Sequence, residues 1–217
     1  GKITFYARSG KVIPGLVDLQ RQLHKHKGDV VLDGELVYNG QEKLSTNERY
    51  SKTMSILSAV GNKENISFKM FDVISLDSFK KGITYNYRYS DRRVILEAKV
   101  ETFGMDKTLM QVLPILYTGT DITKVNECLM DITGKGGEGV MVNILDSPYE
   151  FKRTYNLMKV KPDHDCDLVV CGYKEGDGKY TDQLGALICE YKNNMVDVGS
   201  GLSDKQRITF WRRRKQL

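Results

Sequence analysis

Val30-Val31-Leu32-Asp33-Gly34-Glu35-Leu36-Val37-Tyr38 is the stretch on which the architecture turns. β-branched and aromatic residues crowd it, as they do in strands, and Asp33-Gly34 interrupts them midway. Glycine inside a strand pattern marks a bulge or a close approach of another backbone. The expectation is a strand bulged at Asp33-Gly34, with Glu35 aimed away from the ordinary alternation. A second alternating run, Ile66 to Leu76, sets Ile66, Phe68, Met70, Ile74 and Leu76 on one side.

Working outward, Gly139 to Leu145 and Tyr155 to Lys161 read as two strands around a polar connection holding Pro148. Cys166 to Tyr173 is a further strand. Ala186 to Val198 reads as a hairpin turning at Asn193-Asn194. The clearest helix is Asp121 to Thr133, where Ile122, Val125, Leu129 and Ile132 form one apolar stripe and Gly134 ends it. Leu16 to His26 and Ser90 to Glu101 are predicted helices, the latter with Ser90 as N-cap. Ser203 is placed to cap a last helix through Trp211. A polar stretch, Pro162-Asp163-His164-Asp165, marks a boundary. Beyond it, short strands with glycine turns at 175–179 and 199–201 suggest a small barrel. The fold class is therefore α+β: an antiparallel-sheet domain over 1–162, followed by a partial barrel over 163–217.

The bulk composition fits that picture. Of 217 residues, 40% are apolar and 28% charged, ordinary for a globular protein of one or two domains. No apolar run approaches the roughly 20 residues that span a bilayer, and no signal peptide is visible, so no membrane is expected and the default setting is cytoplasmic. A formal net charge of +5 suits a phosphate-bearing partner. Cys128, Cys166, Cys171 and Cys189 lack CxxC spacing, which argues against zinc and for reduced thiols.

Several residues carry chemical signals. Lys159 and Lys161 are two apart in a strand, so both ammonium groups face one way, roughly 7 Å apart at the Cα atoms. Such like charges repel unless an anion lies between them. A solvated sheet face explains most Lys-x-Lys pairs, but Leu157, Met158 and Val160 argue against exposure of both faces here. Phe71 falls beside Ser67 and Lys69, off the apolar face, where a ring serves for stacking on a base or for a second packing layer. Glu138, after Gly134, Gly136 and Gly137, enters a strand from a loop, a position suited to a divalent metal or a ribose. Arg8 and the run Arg212-Arg213-Arg214-Lys215 add basic groups, the latter on a helix end.

In order along the chain, these pieces resemble the motifs of ATP-dependent DNA ligases, of phage or bacterial type, within the covalent nucleotidyltransferase superfamily. Ala7-Arg8-Ser9-Gly10, Leu32-Asp33-Gly34-Glu35-Leu36, Lys69-Met70-Phe71-Asp72-Val73, Glu138-Gly139-Val140-Met141-Val142 and Met158-Lys159-Val160-Lys161-Pro162 each look like one motif of that family. Tyr89 to Leu96 resembles a tyrosine- and arginine-rich helix start between them. Gly185 to Asp204 is similar to the start of the ligase OB-fold domain, which favours DNA ligases over RNA ligases and capping-type nucleotidyltransferases.

The resemblance implies an ATP-grasp-like nucleotidyltransferase (adenylation) domain over 1–162 and a partial OB-fold β-barrel over 163–217. It implies ATP (bound as AMP) and Mg²⁺ as cofactors, and nicked duplex DNA as partner of a monomer. A lysine would attack the α-phosphate of ATP, AMP would pass to a DNA 5′-phosphate, and the 3′-hydroxyl would displace AMP. Lys159 and Lys161 would hold the α-phosphate, Glu35 the ribose, Phe71 the adenine, Glu138 the Mg²⁺, and Arg8 the nick or AMP phosphate. The family's Lys-x-Asp-Gly element, which carries the attacking lysine, occurs nowhere in the 217 residues. The expectation is therefore a fragment that lacks the nucleophile and the end of the OB domain, inactive in self-adenylation, with a non-catalytic nucleotide- or DNA-binding chain as the alternative.

Overall fold

The computed structural model describes residues 2–24, 28–102, 104–163 and 165–216. His26 and His164, assigned above to a helix and to the boundary, lie outside them. The chain divides into two compact units, Gly1–Pro162 and Asp163–Leu217.

In the first unit, α1 (Val17–His24) precedes β1 (Val30–Tyr38), α2 (Thr46–Ser58) and β2 (Ile66–Ser75). Then come α3 (Leu76–Lys81), α4 (Tyr89–Thr102), β3 (Met110–Val112), α5 (Ile122–Gly134), β4 (Val140–Asn143) and β5 (Leu157–Val160). β1 and β2 pair antiparallel and β3 joins β2 in parallel, giving the order β1-β2-β3, while β4 and β5 form a separate antiparallel pair. Leu16, Leu19, Ile66, Phe68, Met70, Val73, Leu96, Met105 and Met110 make the core.

The bulge sits on the other strand from the one expected. Asp33 pairs with Asp72 and Gly34 with Met70, so the extra residue is Phe71 in β2. Gly34 serves the close approach instead: a Cβ there would lie 2.4 Å from the Lys69 carbonyl oxygen. β1 thus keeps its alternation, with Val30, Leu32 and Leu36 packed on the core and Glu35 exposed in regular phase. β2 slips phase, so that Met70 and Val73 both join the core while Ile74 is buried outside that cluster. Leu76 leaves the strand altogether, because the Ser75 side chain caps α3 there by accepting from Ser78 N–H.

Other boundaries move for local reasons. α4 begins at Tyr89, so Ser90 lies inside the helix, and its N–H goes to the Leu145 carbonyl. α5 runs through Gly134 and stops before Gly136, which has φ +85°. Its Ile122 is 66% exposed, so the half-buried stripe starts at Val125. Neither α2, fastened by a reciprocal Ser45–Glu48 capping box, nor the short β3 was anticipated.

The second unit holds β6 (Val170–Glu175), β7 (Leu184–Tyr191), β8 (Asn194–Val198) and α6 (Asp204–Arg212). Its strands form one antiparallel sheet, β6-β7-β8, and no closed barrel occurs among the described residues. The first strand starts at Val170, later than expected. The hairpin turns at Lys192-Asn193, one residue earlier than expected, and both residues are left-handed with φ 48° and 62°. Ser203 caps α6 in a capping box with Gln206. The basic run straddles the end of that helix, and the Arg214 guanidinium stacks on Trp211 and donates to its carbonyl.

Candidate functional site

Gly139 is the hinge of the site. A Cβ on it would stand 2.3 Å from the Val160 carbonyl oxygen, so only glycine lets the chain enter β4 against the end of β5. That entry sets Glu138 beside both lysines. Glu138 Oε2 accepts from Lys159 Nζ at 3.0 Å and lies 3.4 Å from Lys161 Nζ. One carboxylate oxygen thus serves two ammonium groups, which is the anion that a Lys-x-Lys pair on one face requires.

All three side chains are about half exposed. The adjoining Leu157 and Met158 are exposed too, at 42% and 37%, contrary to the expectation from their hydrophobicity. Lys159, then Lys161, holds the Glu138 carboxyl below the usual carboxylate range. Glu138 in turn raises Lys159, and Glu35 adds to that rise, so the Glu35 carboxylate lies within electrostatic reach of the lysine. Exposed ion pairs of this kind contribute little to stability, so substitutions here report on ligand rather than fold.

Glu35 stands opposite Lys69 in the β1–β2 register. The Lys69 amine is committed elsewhere, donating to Gln111 Oε1 at 2.6 Å. Phe71, as the bulge residue beside this pair, is half-buried. Arg8 is exposed in a tight turn closed by the Tyr6–Val12 bridge and has no side-chain partner among the described residues. The structure therefore brings Glu138, Lys159 and Lys161 into contact, with Glu35 acting on Lys159 through its charge, and among the described residues Arg8 makes no contact with them. Among the described residues no three histidine, cysteine or acidic side chains gather to hold a metal ion. The site offers two cations around one carboxylate, a donor set fit for a phosphate and for a metal ion that shares its ligands with that phosphate.

Sequence reasoning missed a buried cluster nearby. Arg92, 3% exposed, grips Asp72 with two parallel bonds of 2.8 and 2.9 Å. Its other terminal nitrogen donates to the carbonyls of Tyr87 and Ser147. The Arg92 guanidinium also lies over the rings of Tyr89 and Tyr149, and the Tyr149 hydroxyl donates to Asp33 Oδ2 at 2.6 Å. Burial raises the Asp33 carboxyl, against the lowering effect of the Tyr149 bond. Burial likewise pushes the Tyr149 hydroxyl far above its ordinary range. The available signal was Asp72 directly after Phe71 in a strand otherwise rich in apolar residues, since a buried carboxylate needs a cation.

Comparison with known proteins is consistent along the chain. Residues 1–161 match the family model for the ATP dependent DNA ligase domain, and residues 175–215 that for the DNA ligase OB-like domain. A probable DNA ligase of Streptomyces avermitilis is 30% identical over 164 residues, covering 74% of this chain and 31% of that protein. A DNA ligase of Methanocorpusculum labreanum is 26% identical, covering 97% of this chain and 39% of that protein. The solved chain named Pmar-Lig_PreS3 superposes with a TM-score of 0.80 at 27% identity, covering all of this chain and 51% of its own. The chain thus spans roughly a third of the length of these curated relatives. Among the described residues no helix is long and apolar enough to cross a membrane.

Proposed function

The chain belongs to the ATP-dependent DNA ligase family, and from that premise we propose that it binds the nucleotide and handles its phosphate in an enzyme that seals nicks in duplex DNA. The observation that carries this reading is Glu138 Oε2 shared between Lys159 and Lys161, with Glu35 in electrostatic reach. The proposed setting is a monomer in the cytoplasm, acting on nicked DNA with ATP.

The roles follow from charge and reach. Lys159 and Lys161 present two ammonium groups to the α-phosphate and offset the charge that develops on it as bonds to phosphorus form and break. Lys159 is carried by β5 and Lys161 directly follows it, so the strand's backbone places both side chains at one end of the β4–β5 pair. Glu35 accepts from the ribose hydroxyls, and Phe71 stacks on adenine from the bulge that turns it off the core. Arg8, exposed in its turn and without a side-chain partner among the described residues, reaches for the AMP or nick phosphate. Glu138 would hold Mg²⁺, which would supply charge neutralisation and alignment at the phosphate.

Glu138 and the phosphate therefore compete for the same lysines. Glu138→Gln is expected to tighten binding of pyrophosphate in the absence of Mg²⁺, by roughly 3- to 10-fold, since a charge-assisted hydrogen bond no longer has to be given up. Weaker binding measured by calorimetry would show that the carboxylate does not occupy the anion position.

Function is tested by nick sealing with the whole protein on duplexes whose broken strand is DNA or RNA. Sealing confined to DNA is the expected result, and the match of residues 175–215 to the DNA ligase OB-like domain favours it. Sealing of RNA alone would turn the reading toward an RNA ligase. In the same assay the 217-residue chain with labelled ATP and Mg²⁺ should form no covalent protein–AMP, as it contains no Lys-x-Asp-Gly. A stable adduct would mean that another lysine is the nucleophile.

A further inference from the structure

The two halves of the proposed site lie on separate sheets. Glu35 and Phe71 belong to β1 and β2, whereas Lys159 is on β5 and Glu138 and Lys161 flank the β4–β5 pair. Among the described residues no strand pairing joins β4 or β5 to the β1-β2-β3 sheet. The distance between a ribose contact and a phosphate contact must therefore be set by something else.

The connection between β4 and β5 supplies it. Leu145 accepts from Ser90 N–H at 3.0 Å at the start of α4, and Ser147 accepts from the Arg92 guanidinium at 2.9 Å. Tyr149 exchanges two 3.0 Å backbone bonds with Tyr85, and its hydroxyl reaches across to Asp33, two residues from Glu35 on the same strand. Arg92, held bidentately by Asp72 next to Phe71, lies over the Tyr149 ring. The alternate residues 145, 147 and 149 are thus each fastened to α4, β1 or the segment before α4.

We propose that Tyr149, through its hydroxyl bond to Asp33 and its stacking under Arg92, is a positioning residue that fixes the spacing between the Glu35 half and the Lys159–Lys161 half of the site. It touches neither nucleotide nor metal. Its effect falls on ligands that span both halves, and a ligand held by the lysines alone is indifferent to it. The inference rests on the nucleotide-site reading given above.

The test compares two probes on the full chain by calorimetry: AMP, which has ribose and phosphate, and pyrophosphate, which has phosphate only. Tyr149→Phe keeps the ring and removes one hydrogen bond to a carboxylate. It should weaken AMP roughly 10-fold, the scale of one lost charge-assisted bond, and leave pyrophosphate within about 2-fold. AMP affinity unchanged in the variant overturns the proposal. So does an equal loss for both probes, which would mean that Tyr149 serves only the fold. If the unaltered chain binds pyrophosphate but not AMP, the site reading itself fails and the positioning role falls with it. That result is distinguished from the other two because it appears before any substitution is made.

Discussion

Arg92→Ala should destabilise the first unit by about 3–5 kcal/mol, the usual cost of leaving a buried carboxylate without its cation. That is a large part of the roughly 5–15 kcal/mol that holds a domain folded. The environment argues for the upper part of the range. Arg92 gives two bonds to Asp72 and one each to two carbonyls, and both members of the ion pair are almost fully enclosed. Its removal strands Asp72, frees the carbonyls of Tyr87 and Ser147, and takes the cation from the faces of Tyr89 and Tyr149. Replacing Arg92 and Asp72 together by apolar residues of similar volume should recover much of the loss, since no charge is then left alone. Urea denaturation of the two variants reads both effects. A single-variant loss below about 1 kcal/mol would show the pair to be better solvated than its burial implies.

Lys159→Ala should weaken AMP binding by roughly 10- to 100-fold, the range for a hydrogen bond to a charged group. Thermal stability should hardly change, because the side chain is about half exposed and its partner Glu138 equally so. Lys159→Arg should restore only part of the affinity, since a planar fork does not replace a compact ammonium beside Lys161. The loss should also flatten the dependence of binding on salt. Calorimetry at two salt concentrations measures both. An unchanged affinity would remove the lysine pair from the site and with it the central observation of the functional reading.

Much of the candidate site was legible because its chemistry is local. Lys159 and Lys161 share a face by strand geometry alone, and Glu138 was singled out by its loop of glycines. The bulge was legible as a need but not as a location. Asp33-Gly34 is where β1 looks interrupted, yet the extra residue is Phe71, because Gly34 is small enough for Lys69 to approach and the slack is taken up in β2. Helix starts were displaced for a similar reason. Ser90 reads as a cap in isolation, but Arg88 already accepts from Arg92 N–H, so the first turn begins before it.

The β1, β2, β4 and β5 segments, the apolar stripe of α5 and the need for a glycine at position 34 were written in the sequence, since each depends on neighbours a few positions apart; α2 and the parallel β3 were not. The tertiary structure alone decided which charges meet. Arg92 finds Asp72 across 20 residues, Lys159 finds Glu138 across 21, and Tyr149 finds Asp33 across 116. The Arg92–Asp72 and Tyr149–Asp33 pairings are chosen by burial, where an unpaired charge costs several kcal/mol, whereas the half-exposed Lys159–Glu138 pair follows from the antiparallel β4–β5 pairing; no local periodicity encodes which partner will be brought near. The interrupted strand Val30–Tyr38 shows both sides: its own residues specify that a glycine is needed midway, and only its partner strand determines that β1 keeps its alternation while the extra residue is Phe71 in β2.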